Sequence, residues 1–520
     1  MLESKAGFIN SEKFFYLLIT LTVVAILFTD PFLKYPYDMF THLQWIDEQS
    51  NVTSPERKYI WHYVWAQIFN FFHIDRTHIF LRAQIIHYIQ SISIFIMIFY
   101  TSKIFIKNLF IKISLNTLNY LGYWSALIWF TVFSTASEYH HQVWILWYSI
   151  NYQITLPLTL LMAGLSISLI FDPSSNKNKM IKALSILLLT YIVLRIHAME
   201  FLYFVMYMGI LMMVYLDKLI VLWKKYIYFS LPLSLLFIYA LAQFVDQIKT
   251  YAYRPSPIFN YLSLEKLPQL LEKIRSDGEM VMWHYSRASS TMNELIYLSL
   301  IAIALLLILT IYRHHKGYSA YINIRLAIFL FITSFFILIP IFKYTAGIAS
   351  ILTYTTISWR FYFSSLLFLA VPGFIFYLFS IFKIKNILML NVTIVIILFG
   401  IFFYSKYDIE NQQNYYKNII SIKNAFSKEK MGFNLSRENI VAIGKKLKYY
   451  ESLNTTQKPE YYYARDDIAF VLKFVYQKPV LYHRRGNINY VKSYSTHKKK
   501  KYYPILFETL KGFPEYKRYK

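Results

Sequence analysis

Long apolar runs decide what this chain can fold into. At least ten of them reach about 17–25 residues, the length that carries a helix across the hydrocarbon core of a bilayer. The first begins at Phe14, after the polar "MLESKAGFINSEK". No small-residue cleavage site follows it, so it reads as a retained span rather than a signal peptide. Composition agrees: 57% of residues are hydrophobic and only 16% charged, against about 25% charged in soluble domains.

The expected spans are 14–33, 83–102, 117–136, 148–171, 182–197, 199–221, 226–245, 295–312, 325–342, 361–382 and 387–404. Short basic connections follow every second one: "TSKIFIKNLFIK", "NKNKMIK", "WKK", "YRHHKG" with Arg325, and "KIKN". Cytoplasmic loops are enriched in Lys and Arg. The alternation therefore predicts about eleven transmembrane helices with a cytoplasmic N-terminus. It places loops 34–82 and 246–294 and everything after residue 404 outside. The net charge of +26 is read as this topology plus a basic surface, not as a nucleic-acid footprint. With no cysteine, disulfides, thiolate catalysis and Cys-ligated metals are excluded. With 13 glycines in 520 residues and no Gly-rich phosphate loop, a Rossmann or P-loop reading has no support.

The expected organisation is a transmembrane domain, 1–404, and an external α/β domain, 405–520. In the latter, "SRENIVAIGKKLKYYESL" and "RDDIAFVLKFVYQ" read as helices, and "PEYYYA" and "KPVLYH" as short strands.

Ionisable groups gather on the predicted external side. "YPYDMFTHLQWIDE" follows the first span. On a helix, Asp38 and His42 are four apart and share a face, whereas Asp47 falls opposite and is expected, with Glu48, to face water. A carboxylate at the membrane boundary can act as base toward a hydroxyl, so Asp38 and His42 are the candidate catalytic pair. The plain alternative is a loop that is polar because loops are polar. "STASEYHHQVWILW" brings Glu138 and His141, and "LRIHAMEF" brings Arg195 and Glu200. Glu138, His141 and Glu200 are candidates for holding a divalent cation or the acceptor. Arg195 pairs structurally with Glu200 or binds phosphate. Arg360, in "TTISWRFYF", suits phosphate through its planar fork or anchors at the interface.

The layout resembles the GT-C glycosyltransferases, especially bacterial relatives of protein mannosyltransferases and lipid A aminoarabinose transferases. The similarity rests on the acidic first-loop motif and on the aromatic stretch "KYIWHYVWAQIFNFFHIDRTHIFLRAQIIHYIQ". It rests also on "WRFYF" before a late span and on the tail "RDDIAFVLKFVYQKPVLYH". The resemblance implies an inner-membrane enzyme of the cell envelope. Such an enzyme moves a sugar, with inversion, from a polyprenyl-phosphate donor to a glycan, lipid or protein acceptor. It puts the first-loop acid on Asp38 or, because relatives carry adjacent acids, on Asp47–Glu48. The second-loop acid falls on Glu138 and the phosphate-binding arginine on Arg360. The alternatives are an O-antigen polymerase or ligase-type protein and a transporter.

Overall fold

The computed structural model describes residues 12–27, 42–43, 45–55, 59–75, 78–130, 136–138, 141–143, 151–171, 175–197, 200–250, 257–261, 263–287, 293–318, 321–352, 361, 364–384, 386–405, 437–453, 462–463, 472, 476, 478 and 480–481. They are overwhelmingly helical. The helices are α1 (Glu12–Leu27), α2 (Ile60–Phe71), α3 (Ile79–Leu109), α4 (Leu115–Ile128), α5 (Asn151–Phe171), α6 (Asn176–Ile196), α7 (Phe201–Lys225) and α8 (Ile227–Thr250). They continue with α9 (Leu267–Arg287), α10 (Asn293–His315), α11 (Ile324–Ser334), α12 (Lys343–Leu352), α13 (Ala370–Ile381), α14 (Ile387–Ser405) and α15 (Arg437–Leu453). The strands are short: β1 (Ala136–Glu138) pairs antiparallel with β2 (His141–Val143), and β3 (Tyr462–Tyr463) pairs parallel with β4 (Val480–Leu481).

Each expected span overlaps a helix among the described residues, but not every helix can cross a bilayer alone. Among the described residues four are long and apolar enough, within α3, α5, α7 and α10, and a bent pair around α11 and α12 makes a fifth if taken as one span. This corrects the expectation of eleven for specific reasons. Helix α6 carries Lys177, Lys179, Lys182 and Arg195. Helix α4 has 14 residues and α13 has 12. The run 324–352 bends by 89° at a short break, because the helix tightens to a 3-10 turn at Phe335–Leu338 and Pro340 follows. The expected α/β domain is likewise not carried by the described residues, whose strands β3 and β4 have two residues each. The chain is a helical protein with membrane-spanning character.

The chain divides into two compact units, residues 1–26 with 90–416 and residues 27–89 with 417–520. The first is the helix bundle. Local chemistry starts and stops its helices. Ser114 caps α4 by accepting from the Thr117 N–H at 3.2 Å, and Asn323 caps α11 by accepting from the Leu326 N–H at 3.3 Å. Helix α10 ends where Gly317 turns left-handed at φ 71°. The Tyr318 N–H then reaches back to the Arg313 carbonyl at 3.0 Å, a Schellman closure.

In lipid, burial of apolar side chains between helices gains little over contact with acyl chains, so packing and interhelical hydrogen bonds hold the bundle. Its interior joins Phe95, Phe105, Tyr120, Phe329, Phe368 and Phe376 in one buried cluster. Two polar ties cross it: Trp124 Nε1–H donates to Asn391 Oδ1 at 2.9 Å, and the hydroxyls of Thr22 and Tyr123 lie 3.0 Å apart.

The predicted basic connections collect at one end of the bundle. The Asn323 N–H donates to the Leu109 carbonyl at 2.8 Å and the Ile111 N–H to the Tyr321 carbonyl at 3.0 Å. Arg325 grips both oxygens of Asp217 at 2.6 and 2.7 Å. Tyr226 bonds Asn176 at 2.8 Å. The α6–α7 turn and the bend before α12 lie at the other end.

Candidate functional site

At that other end, α6 stops at Ile196 and α7 begins at Phe201. Glu200, the residue before α7, is 2% exposed. A carboxylate this buried needs partners, and it has them. His197 Nδ1 pairs with Glu200 Oε2, and Thr155 of α5 donates its hydroxyl to the same oxygen at 3.3 Å. The expected alternative pairing of Arg195 with Glu200 is therefore replaced by His197 with Glu200. Arg195 extends over the Tyr191 ring, 5.1 Å from its centroid, and is in none of the ion pairs of the described residues. The turn thus presents a half-buried cation five residues before a buried, partnered carboxylate.

The second unit holds the first-loop residues. Residues 42–43 and 45–48 are helical. His42 is buried, with its Nδ1 2.7 Å from His62 Nε2 of α2, and the two rings are stacked within 3°. Trp45 and Trp61 close on both imidazoles edge-on, and Tyr59 on His62. Burial pushes His62 down to about 3, so it is neutral at any physiological pH. Its Nδ1 has no hydrogen-bond partner among the described residues.

Asp47 does not simply face water as expected. It is half-buried 3.9 Å from Arg82, whose guanidinium also donates to the Ile74 carbonyl and lies over Phe69. Glu48 is exposed, as expected.

Glu138 and His141 face each other as a backbone pair across the β1–β2 hairpin. Asp38 and Arg360 lie outside the described residues. Among the described residues no three His, Asp or Glu side chains converge as a metal site. Sequence reasoning missed three partners. His62 hid in an aromatic run. Thr155 hid in an apolar span, although its spacing from Thr159 marks one helix face. Asp277 sits in α9 and is buried against Lys273 and Ser350; the "SDG" interrupting an amphipathic pattern was its visible trace.

No family model, characterised protein or solved structure matches this chain.

Proposed function

We propose that this protein is a membrane glycosyltransferase of the GT-C type. It would move a sugar from a polyprenyl-phosphate donor to an acceptor outside the cytoplasm, a glycan, lipid or protein, with inversion. The observation that carries the reading is the α6–α7 turn. Glu200 is engaged by His197 and Thr155, which leaves the Arg195 guanidinium at the membrane boundary for an anion. An arginine suits a lipid phosphate because its fork matches two phosphate oxygens.

In this reading Arg195 and Arg360 hold the departing phosphate and stabilise the charge it gains. Asp38 takes the proton of the attacking acceptor hydroxyl. His42 positions Asp38 or contacts the acceptor, with its ring fixed by His62. Glu138 and His141 bind the acceptor or a divalent cation, whereas Glu200 is taken by His197 and Thr155. The cytoplasmic N-terminus and the inner-membrane location belong to the same proposal.

Purified protein incubated with a polyprenyl-phosphate sugar and cell-envelope acceptors should release the polyprenyl phosphate and form a new glycosidic bond. One observation favours a second reading, transport. Helices broken near membrane depth mark many transporter sites, and the run 324–352 is broken by 89°. Solute flux into liposomes with no donor turnover would select that reading over the first.

A further inference from the structure

The break in the run 324–352 turns α12 by 89° from the helical segment Ile324–Leu338. Membrane-spanning helices tilt by about 20° on average. If Ile324–Leu338 spans, α12 runs close to the plane of the membrane. Helix α9 is locked along it. A Cβ on Gly347 would meet the Ile274 carbonyl oxygen at 1.9 Å, and one on Gly278 would meet the Lys343 carbonyl oxygen at 1.9 Å. As the number rises on one helix it falls on the other, so the pair is antiparallel and α9 lies in the same plane. Polar contacts fix the register. Asp277, buried in the crossing, takes Lys273 Nζ at 2.6 Å and the Ser350 hydroxyl at 3.2 Å, and Lys343 pairs with Glu279.

This polar, two-helix layer leaves large apolar side chains uncovered. Leu264 is 89% exposed, and Leu267 and Leu271 follow it at helical spacing. On α12, Tyr344 is 65% exposed, with Ile348 one turn on and Phe342 before it. The row continues an apolar surface on the span itself, where Ile332 and Phe335 are exposed. Helices with a charged face and leucines on the other, joined directly to a span, fit the headgroup boundary of a bilayer. Arg275, one turn beyond Leu271, ends that row with a cation suited to headgroup phosphates.

We infer that the α9–α12 pair lies in the membrane interface, with Leu267, Leu271, Tyr344 and Ile348 set into the lipid. It is neither a re-entrant hairpin nor a solvent-exposed cap. The inference needs only the membrane location and does not depend on sugar transfer. The chain has no cysteine, which makes the test direct. Single variants Leu267→Cys, Leu271→Cys, Ile348→Cys and, on the opposite face of α9, Gln269→Cys and Ser276→Cys are spin-labelled in phosphatidylcholine nanodiscs. Power saturation then compares accessibility to oxygen and to a nickel chelate. All five side chains replaced are exposed, so no buried contact is lost. The first three should favour oxygen, at a depth of about 5–10 Å below the headgroups, and the last two should favour nickel. Nickel access at Leu267 and Ile348 would overturn the inference by placing the face in water. Access to neither reagent would overturn it by showing a protein partner. A depth near the bilayer centre would overturn it in favour of a re-entrant hairpin.

Discussion

His42 and His62 face each other ring to ring, with 2.7 Å between Nδ1 of one and Nε2 of the other, inside a wall of Trp45, Tyr59 and Trp61. Two neutral imidazoles can share one proton across that gap. A charged His62 cannot stay, because burial holds it near 3. The unfolded chain binds this proton below about 6.5 and the folded chain does not. Between those values the unfolded state therefore carries more protons, and folding stability falls as pH falls. The melting temperature of the purified protein should drop from about pH 6.5 downward and level off near 3. His62→Gln should flatten this slope. An equally steep slope in that variant would mean that other groups set the acid sensitivity.

Arg195 gives the second prediction. If it holds the donor phosphate, Arg195→Ala should weaken donor binding by one charge-assisted contact, about 1.5–3 kcal/mol, or roughly 10- to 100-fold in affinity. Arg195→Lys should recover only part, since a single ammonium cannot reproduce the two-pronged contact. His197→Ala separates the roles. It removes the partner of Glu200 and should lower stability more than donor affinity. Unchanged donor affinity in Arg195→Ala, measured by titration with a polyprenyl-phosphate sugar, would reduce Arg195 to an anchor on Tyr191.

Asp38 and Asp47 are separated by the third. Asp38→Asn keeps the size and removes the basicity, so turnover should fall by about 10²–10⁴-fold, the usual contribution of a general base. Asp47 is occupied with Arg82, so Asp47→Asn should cost some stability and little turnover. Loss of transfer in Asp47→Asn or Glu48→Gln, with Asp38→Asn active, would move the site to the adjacent acids.

These contrasts mark how far the sequence could be read. The long apolar helices were legible, because apolar runs of fixed length have few other ways to satisfy their backbone in lipid, but α12 falls between two expected spans. Their interruptions were less so. Pro340 and the lysines that open α6 stand in the sequence, but the 89° size of the bend is set by the packing around it, which no single run reveals. At the candidate site, ionisable residues were found by type, but their partners were not. Arg195 and His197 compete for Glu200 within one turn, and helix ends decide the winner. Helical spacing places Asp47 opposite Asp38 and so predicts that it faces water. Spacing alone could not show that Arg82, 35 residues on, comes back to meet it.

The fourth prediction concerns the α9–α12 crossing. Gly347 has Ile274 backbone oxygen where a Cβ would sit, at 1.9 Å, and Gly278 has the Lys343 backbone oxygen at the same distance. Backbone cannot swing aside as a side chain can. A single added methyl at either position must therefore push the two helices apart and open the buried Asp277–Ser350 contact. Overpacking of this kind costs about 1–3 kcal/mol, so Gly347→Ala should lower the melting temperature clearly. Gly209→Ala is the control. It sits in the middle of α7 with nothing within 4 Å of the new Cβ, and alanine favours a helix over glycine by about 1 kcal/mol. That variant should be neutral or stabilised. A Gly347→Ala protein as stable as the parent would mean that the helices do not approach this closely, and the antiparallel register drawn from those two glycines would fall with it.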